Sequence, residues 1–146
     1  MKLSPSVSIE QSETGLEFIK IASSKCDAKI FLQGGQITEF IPKNNKPLIW
    51  VSQDETYQEK ASIRGGIPIC WPWFGTHAND GWPAHGFART SVWQADEVHE
   101  SDEQITVSLK LPMKLVNTTY WPHQSALKVE FILSDKLQVR LTTTNL

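Results

Sequence analysis

The chain has 146 residues, of which 40% are hydrophobic and 21% are charged, and its formal net charge is -2. These values fit one globular domain, and without a run of Lys and Arg they favour neither a nucleic acid nor another polyanion as partner. The N-terminal segment lacks the apolar core of a signal peptide, and no apolar run approaches the length of a membrane span. Cys26 and Cys70 have no Cys-x-x-Cys spacing, so we expect reduced thiols in a cytoplasmic protein.

The first half of the chain contains several short segments with a hydrophobic period of two, which is typical of β-strands. An apolar run at 16–21 comes first. Segments 29–33 and 36–41 then flank Gly34-Gly35, which predicts a hairpin. Residues 47–52 predict a further short strand. The polar stretch that follows, 54–62, is compatible with one or two turns of helix.

The second half alternates more regularly. Segments 91–98, 104–111, 127–133 and 137–144 each place apolar and polar side chains on opposite faces, with a tight turn at 134–136. No long helix is predicted, and no repeat or linker divides the chain. The sequence therefore predicts an all-β antiparallel architecture, with residues 1–146 in a single domain.

The segment from Ile63 to Thr90 is the most informative part of the chain. It contains Ile63-Arg-Gly-Gly-Ile-Pro-Ile-Cys-Trp-Pro-Trp-Phe-Gly75 and, after a short polar stretch, Pro83-Ala-His-Gly-Phe-Ala-Arg-Thr90. Glycine adds backbone freedom and proline removes it, so such a segment follows a specified, irregular path. Aromatic rings and arginines on a fixed loop suit a small polar ligand.

These motifs resemble the aldose 1-epimerase superfamily, and more narrowly its hexose-6-phosphate mutarotase (glucose-6-phosphate 1-epimerase) branch. A third motif, Trp121-Pro-His-Gln-Ser-Ala-Leu, agrees with that branch. The resemblance runs from about Glu17 to the end of the chain. It implies an antiparallel β-sandwich of the galactose mutarotase-like supersandwich type. Because family members are roughly twice as long, we expect this chain to be the incomplete N-terminal half of a longer mutarotase-like domain.

The resemblance matches Arg64 and Arg89 with arginines that grip the 6-phosphate in the hexose-phosphate branch. Planar, permanently charged guanidinium groups suit a phosphate dianion because they donate paired hydrogen bonds. The two residues can converge only if the chain between them doubles back. The residues alone also allow a structural role, in which the arginines pair with carboxylates such as Asp80, Asp96 or Glu97.

The same resemblance makes His85 a sugar contact, although a histidine bonded only to the loop backbone fits equally well. Trp73 and Phe74 are the preferred aromatic rings for stacking on a sugar, and Trp82 comes next. Trp71 is a further candidate for an apolar wall of the ligand site. The tryptophans near strand patterns are expected in the core: Trp50, Trp93 and Trp121. His77, His99 and His123 are expected outside the site.

The implied reaction is exchange between the α and β anomers of a hexose 6-phosphate. The family's catalytic histidine and glutamate have no matching residue here, so activity of this chain alone stays open and no catalytic residue is assigned. The alternatives are a non-catalytic carbohydrate or sugar-phosphate binding module, and a β-domain whose loop serves protein contact or the fold. No cofactor or metal is expected, and self-association through exposed sheet edges stays open.

Overall fold

The chain forms two antiparallel sheets, and the computed structural model describes residues 2–115 and 119–146. The strands are β1 (Val7–Gln11), β2 (Glu17–Ala22), β3 (Cys26–Phe31), β4 (Gln36–Pro42), β5 (Gln94–Glu100), β6 (Ile105–Leu111), β7 (Ser125–Leu133) and β8 (Leu137–Asn145). The first sheet has the order β1-β2-β3-β4 and the second the order β5-β6-β7-β8. Two 3-10 helices, Ala88–Thr90 and Met113–Leu115, complete the regular structure of the described part of the chain. The predicted all-β class is confirmed.

The main core lies between the two sheets. Alternate residues of each strand face inward, as the period of two requires. The first sheet contributes Ile19, Ile30 and Ile37, and the second contributes Val129 and Phe131, all fully buried. Apolar side chains from both sheets thus form one cluster, which makes the fold a β-sandwich.

A second, smaller hydrophobic cluster lies on the outer face of the first sheet. It consists of Leu16, Phe18, Phe31 and Ile63, and Tyr57 packs against it with its ring stacked on Phe31 at 5.0 Å. Since Ile63 directly precedes Arg64, this cluster anchors the start of the segment that carries the predicted site.

The hairpin around Gly34-Gly35 is confirmed, because β3 and β4 pair across it in antiparallel register. The four strands predicted in the second half also form, with bounds shifted by up to three residues. β1 was not predicted, because its Val-Ser-Ile-Glu-Gln sequence offers only two apolar residues. It pairs with β2 from Val7↔Ile21 to Gln11↔Glu17.

The strand predicted at 47–52 is wrong. Pro47 has no N–H to donate, and only Val51 forms a bridge, with Gly65. The partner segment around Gly65 and Gly66 has positive φ, which does not continue a strand ladder. Trp50, expected in the core, is 70% exposed.

The helix considered for 54–62 does not form either. The Glu55 carboxylate accepts the N–H of Tyr57, and the Gln33 side chain accepts the N–H of Lys60. Tyr57 and Lys60 both have positive φ, which interrupts a right-handed helix. Hydrogen bonds from backbone N–H groups to side-chain oxygens therefore replace helical hydrogen bonds in this stretch.

The remaining expectations for this part concern tryptophans and edges. Trp93 is buried in the core as predicted. Trp121 is partly exposed and packs against the core cluster.

β8 is an edge strand with mostly exposed residues, and self-association through it stays a prediction. Within residues 2–115 and 119–146, no helix is long and apolar enough to cross a membrane.

Asp96 occupies a bulge of β5 and pairs with Lys110 on β6. The two atoms Oδ1 and Nζ lie 2.7 Å apart, and this hydrogen bond holds the pKa of Asp96 below its usual range. The same contact raises the pKa of Lys110. Asp96 is therefore occupied within the second sheet.

We expect Asp96→Asn to lower stability at neutral pH and to lose this effect in acid. Because the folded-state pKa is depressed, the stabilisation is present well above the unfolded-state value of about 3.9 and disappears as pH falls below it. The measurement is the thermal midpoint of both proteins between neutral and acid pH. Asp102→Asn, at an exposed residue, is the control. A deficit in Asp96→Asn that does not shrink in acid would contradict the pairing.

Candidate functional site

The aromatic loop, defined as residues 71–87, doubles back on itself. Gly75 N–H donates to His85 Nδ1 at 3.0 Å, and His85 N–H donates to the Gly75 carbonyl at 2.8 Å. Nearer the base, the Trp71 carbonyl accepts the N–H groups of Phe87 at 3.0 Å and Ala88 at 3.3 Å. The return path that the arginine hypothesis requires is therefore present.

A glycine makes the base of the loop this narrow. Gly86 forms a parallel bridge with Trp71, and a Cβ at Gly86 would collide with the Trp71 carbonyl. Its φ of 71° also favours glycine. No other residue fits this position without moving one arm of the loop.

One aromatic surface forms around Trp73. The Trp73 ring lies 4.7 Å from His77 and 5.7 Å from Trp82, and His77 stacks on Trp82 at 4.3 Å. Trp73 Nε1 donates to the Pro83 carbonyl at 3.0 Å, which fixes the ring orientation. Tyr120 extends the surface through an edge contact with Trp82 at 5.0 Å. His77, expected outside the site, thus lies in this surface.

Trp71 does not belong to that surface. It is 8% exposed and contacts Phe87 and Trp121 at ring distances of 5.5 and 5.0 Å. Its ring therefore forms part of the core, and the expectation that it lines a ligand wall is wrong.

Phe74 and His85 form a second pair at the loop. Phe74 is 80% exposed, and its ring meets that of His85 edge-on at 4.7 Å. Since Nδ1 of His85 accepts the Gly75 N–H, the ring proton of neutral His85 is on Nε2. Nε2 has no hydrogen-bond partner among the described residues, so it is available to a ligand oxygen.

Arg89 follows the aromatic loop in the 3-10 helix Ala88–Thr90. Its Nη2 donates to the Ala84 carbonyl at 2.9 Å, whereas its Nε is buried and has no hydrogen-bond partner in the described chain. A buried, unpaired donor costs free energy until an acceptor reaches it. Arg89 thus holds unused hydrogen-bonding capacity beside His85.

Arg64 precedes the loop, and its side chain is exposed. Its main chain is held firmly: the N–H donates to the Glu55 carboxylate, and the carbonyl accepts the Ser52 N–H at 2.8 Å. Among residues 2–115 and 119–146, neither Arg64 nor Arg89 forms an ion pair. The alternative in which structural carboxylates neutralise them is not what this structure has.

Two buried residues near the site were not predicted. Gln33 and Gln36 flank Gly34-Gly35 and are 2% and 0% exposed. Their side-chain amides bind main-chain groups between Lys60 and Gly65. The only sequence signal was a glutamine on each side of a two-glycine turn, which is ordinary for a solvent-exposed hairpin.

A cavity lies elsewhere, over the outer face of the first sheet. It has a volume of about 630 Å³ and is lined by residues including Thr14, Phe18 and Tyr57, with no arginine or histidine. The candidate site is instead an open surface on the aromatic loop. In the described part of the chain, no group of three or more His, Cys, Asp or Glu residues is placed to hold a metal ion.

The comparisons with known proteins agree on one family. The aldose 1-epimerase family model matches residues 17–146. The chain is 31% identical to the "putative glucose-6-phosphate 1-epimerase" of Escherichia coli over 126 residues, which cover 86% of this chain and 43% of that protein. A protein of the same name from Cenchrus ciliaris is also 31% identical, with coverages of 96% and 44%.

Solved structures give the same result. A "putative mutarotase" from Salmonella typhimurium superimposes with a TM-score of 0.92 at 30% identity, covering 98% of this chain and 48% of that one. A galactose mutarotase-like protein from Lactobacillus casei, 24% identical with a TM-score of 0.64, covers 88% and 44% and shows the fold alone.

The fold and the loop motifs thus define a galactose mutarotase-like β-sandwich. The chain belongs to the aldose 1-epimerase family. It spans about half the length of the curated relatives it matches. This agrees with the expectation, drawn from the family resemblance, that the chain is the N-terminal half of a longer domain.

We expect Gly86→Ala to destabilise the fold far more than Gly81→Ala. Both glycines have positive φ, of 71° and 80°, so each substitution carries a conformational cost of roughly 1–2 kcal/mol. Only Gly86 adds a collision with backbone, since nothing lies within 4 Å of a Cβ at Gly81. Gly86→Ala should therefore lose at least about 2 kcal/mol more in urea unfolding. Equal losses would show that the narrow base of the loop does not matter.

Proposed function

We propose that this chain carries the phosphate- and sugar-binding part of a hexose-6-phosphate mutarotase, a glucose-6-phosphate 1-epimerase. The observation that carries the proposal is the pair of arginines, Arg64 before the aromatic loop and Arg89 after it, neither of which has a carboxylate partner among the described residues. An anionic ligand gains a great deal from these arginines.

The phosphate end of the ligand lies against these two arginines in our proposal. Arg89, which is half-buried, offers the guanidinium N–H groups that it does not donate to Ala84, and Arg64 offers an exposed guanidinium on a backbone held by Glu55. A phosphate monoester at neutral pH carries close to two negative charges and several acceptor oxygens. Two forked donors satisfy it better than any neutral group on the loop can.

The sugar ring then lies along the aromatic loop. Trp73 and Phe74 offer faces for the C–H groups of a pyranose, and His85 Nε2 can donate to a ring or hydroxyl oxygen. His77 widens the surface around Trp73. We assign no catalytic role to these groups.

The reaction itself needs two further groups. A base removes the proton of the C1 hydroxyl, an acid protonates the ring oxygen as the C1–O5 bond breaks, and the open aldehyde recloses on its other face. The family resemblance draws this acid and base from a histidine and a glutamate without counterparts here. We therefore propose that they come from a part of the protein outside these 146 residues.

The proposal places the protein in the cytoplasm. Sugar phosphates are charged intracellular metabolites, and Cys26 and Cys70 are free thiols rather than a disulfide. A second candidate function is a sugar-phosphate binding module without catalysis. It is favoured by the aromatic loop and the two arginines, which can bind a ligand without an acid or a base.

Arg64→Ala and Arg89→Ala should each weaken binding of glucose 6-phosphate by about 1.5–3 kcal/mol, the value of a charged hydrogen-bonded contact. Free glucose should bind almost unchanged. Titration calorimetry with both sugars measures the difference. Arg140→Ala is the matched control, because Arg140 lies on β8 and pairs with Glu130. If both sugars lose affinity equally, the phosphate assignment is wrong.

The isolated chain should bind glucose 6-phosphate without accelerating anomer exchange. Magnetisation-transfer NMR measures the exchange, and tryptophan indole signals report the binding. Acceleration above the buffer rate would contradict the assignment of acid and base to another part of the protein, with His85 and His77 as the first residues to mutate. A binding module without catalysis predicts that exchange stays at the buffer rate in the longest form of the protein as well.

A further inference from the structure

The turn between β3 and β4 contacts both of the segments that carry the arginines, one around Arg64 and one around Arg89. We call residues Gln33–Gln36 the glutamine turn. Both glutamines are buried, and Gly34 and Gly35 between them have φ of 78° and 56°. A buried side-chain amide needs partners for its N–H and C=O groups; Gln36 Nε2 has them, whereas Gln36 Oε1 has none in the described part of the chain.

One side of the glutamine turn holds the Arg64 segment. Gln36 Nε2 donates to the Ile63 carbonyl at 3.2 Å and to the Gly65 carbonyl. These carbonyls belong to the residues immediately before and after Arg64. Both N–H donors of one amide are thus used on the carbonyls of the two residues that flank this arginine.

The other side of the glutamine turn contacts the Arg89 segment. Gly34 N–H donates to the Ser91 carbonyl at 2.8 Å. A Cβ at Gly34 would lie 2.8 Å from the Arg89 carbonyl and 3.4 Å from Gln36 Oε1. The main chain of Arg89 and the amide that holds Arg64 therefore lie against the same glycine.

We infer that Gln36 is a positioning residue, which sets where Arg64 sits relative to Arg89 without touching the ligand itself. This inference rests on the proposed function, since it takes the placement of Arg64 relative to Arg89 to serve recognition of one phosphate. Gln33 belongs to the same turn but binds three residues or more before Arg64, with Nε2 on the Ala61 carbonyl at 2.9 Å and Oε1 accepting Lys60 N–H.

Gln33 consequently serves as a matched control. It is a glutamine of the same turn with similar burial and similar backbone partners, but it does not flank the arginine. Replacing either glutamine with methionine keeps the side-chain volume and removes both donors. The two variants should lose comparable stability in urea, since each leaves buried carbonyl or N–H groups unpaired.

The experiment compares affinities for glucose 6-phosphate and glucose in Gln36→Met and Gln33→Met. We expect Gln36→Met to lower the preference for the phosphorylated sugar about tenfold, and Gln33→Met to change it less than about twofold. Near-UV circular dichroism verifies that each variant is folded. A Gln36→Met protein that is folded with unchanged preference would overturn the inference, and so would equal changes in both variants.

A second variant covers the case in which Gln36→Met does not fold. Gln36→Asn keeps a polar amide but is one methylene too short to reach both flanking carbonyls, so it should show the same loss of preference. Arg64→Ala is measured in parallel. If Arg64→Ala leaves the preference unchanged, the proposed function itself fails. If Arg64→Ala removes the preference and folded Gln36→Asn retains it, only the positioning role is wrong.

Discussion

The hydrogen bonds from Phe87 and Ala88 to the Trp71 carbonyl constrain everything else in the site. They close the aromatic loop at its base and bring Arg89 back toward the glutamine turn. The Arg64 segment is bound to the same turn. A side chain at Gly86 would open this closure, so a single glycine determines whether the loop exists. The sandwich supplies a stable frame, and the closed loop adds to it the aromatic surface around Trp73.

The closed loop leaves positive charge and hydrogen-bonding groups unsatisfied. Arg89 Nε is buried without an acceptor, although Asp96, a carboxylate within seven residues of it, pairs with Lys110 instead. No carboxylate among the described residues accepts from this donor, so its desolvation is not offset within that part of the chain.

The sequence was informative wherever one physical pattern dominated. The alternation in β6, β7 and β8 reports burial on one face, and Gly34-Gly35 reports a turn, so the second sheet and the hairpin were predictable. The sequence was misleading where side-chain and backbone contacts, rather than the hydrophobic pattern, determine the backbone conformation. Residues 54–62 form no helix because the Glu55 and Gln33 side chains accept backbone N–H groups there, and among residues 47–52 only Val51 forms a bridge, with Gly65. In the candidate site, Arg64, Arg89 and His85 could be selected from motifs, but Gln36 could not, since its partners lie 27 to 29 positions away.

The outer hydrophobic cluster has a dynamic consequence. Ile63 is 4% exposed among Phe18 and Phe31, so we expect the peptide groups beside Arg64 to open together with the first sheet. Their amide hydrogens should exchange only when that sheet opens. The tip at 76–80 has mostly exposed residues and few backbone bonds, and should exchange in small local fluctuations. A ligand would thus meet a rigid charged side and an adaptable tip, so that ordering on binding is confined to the tip.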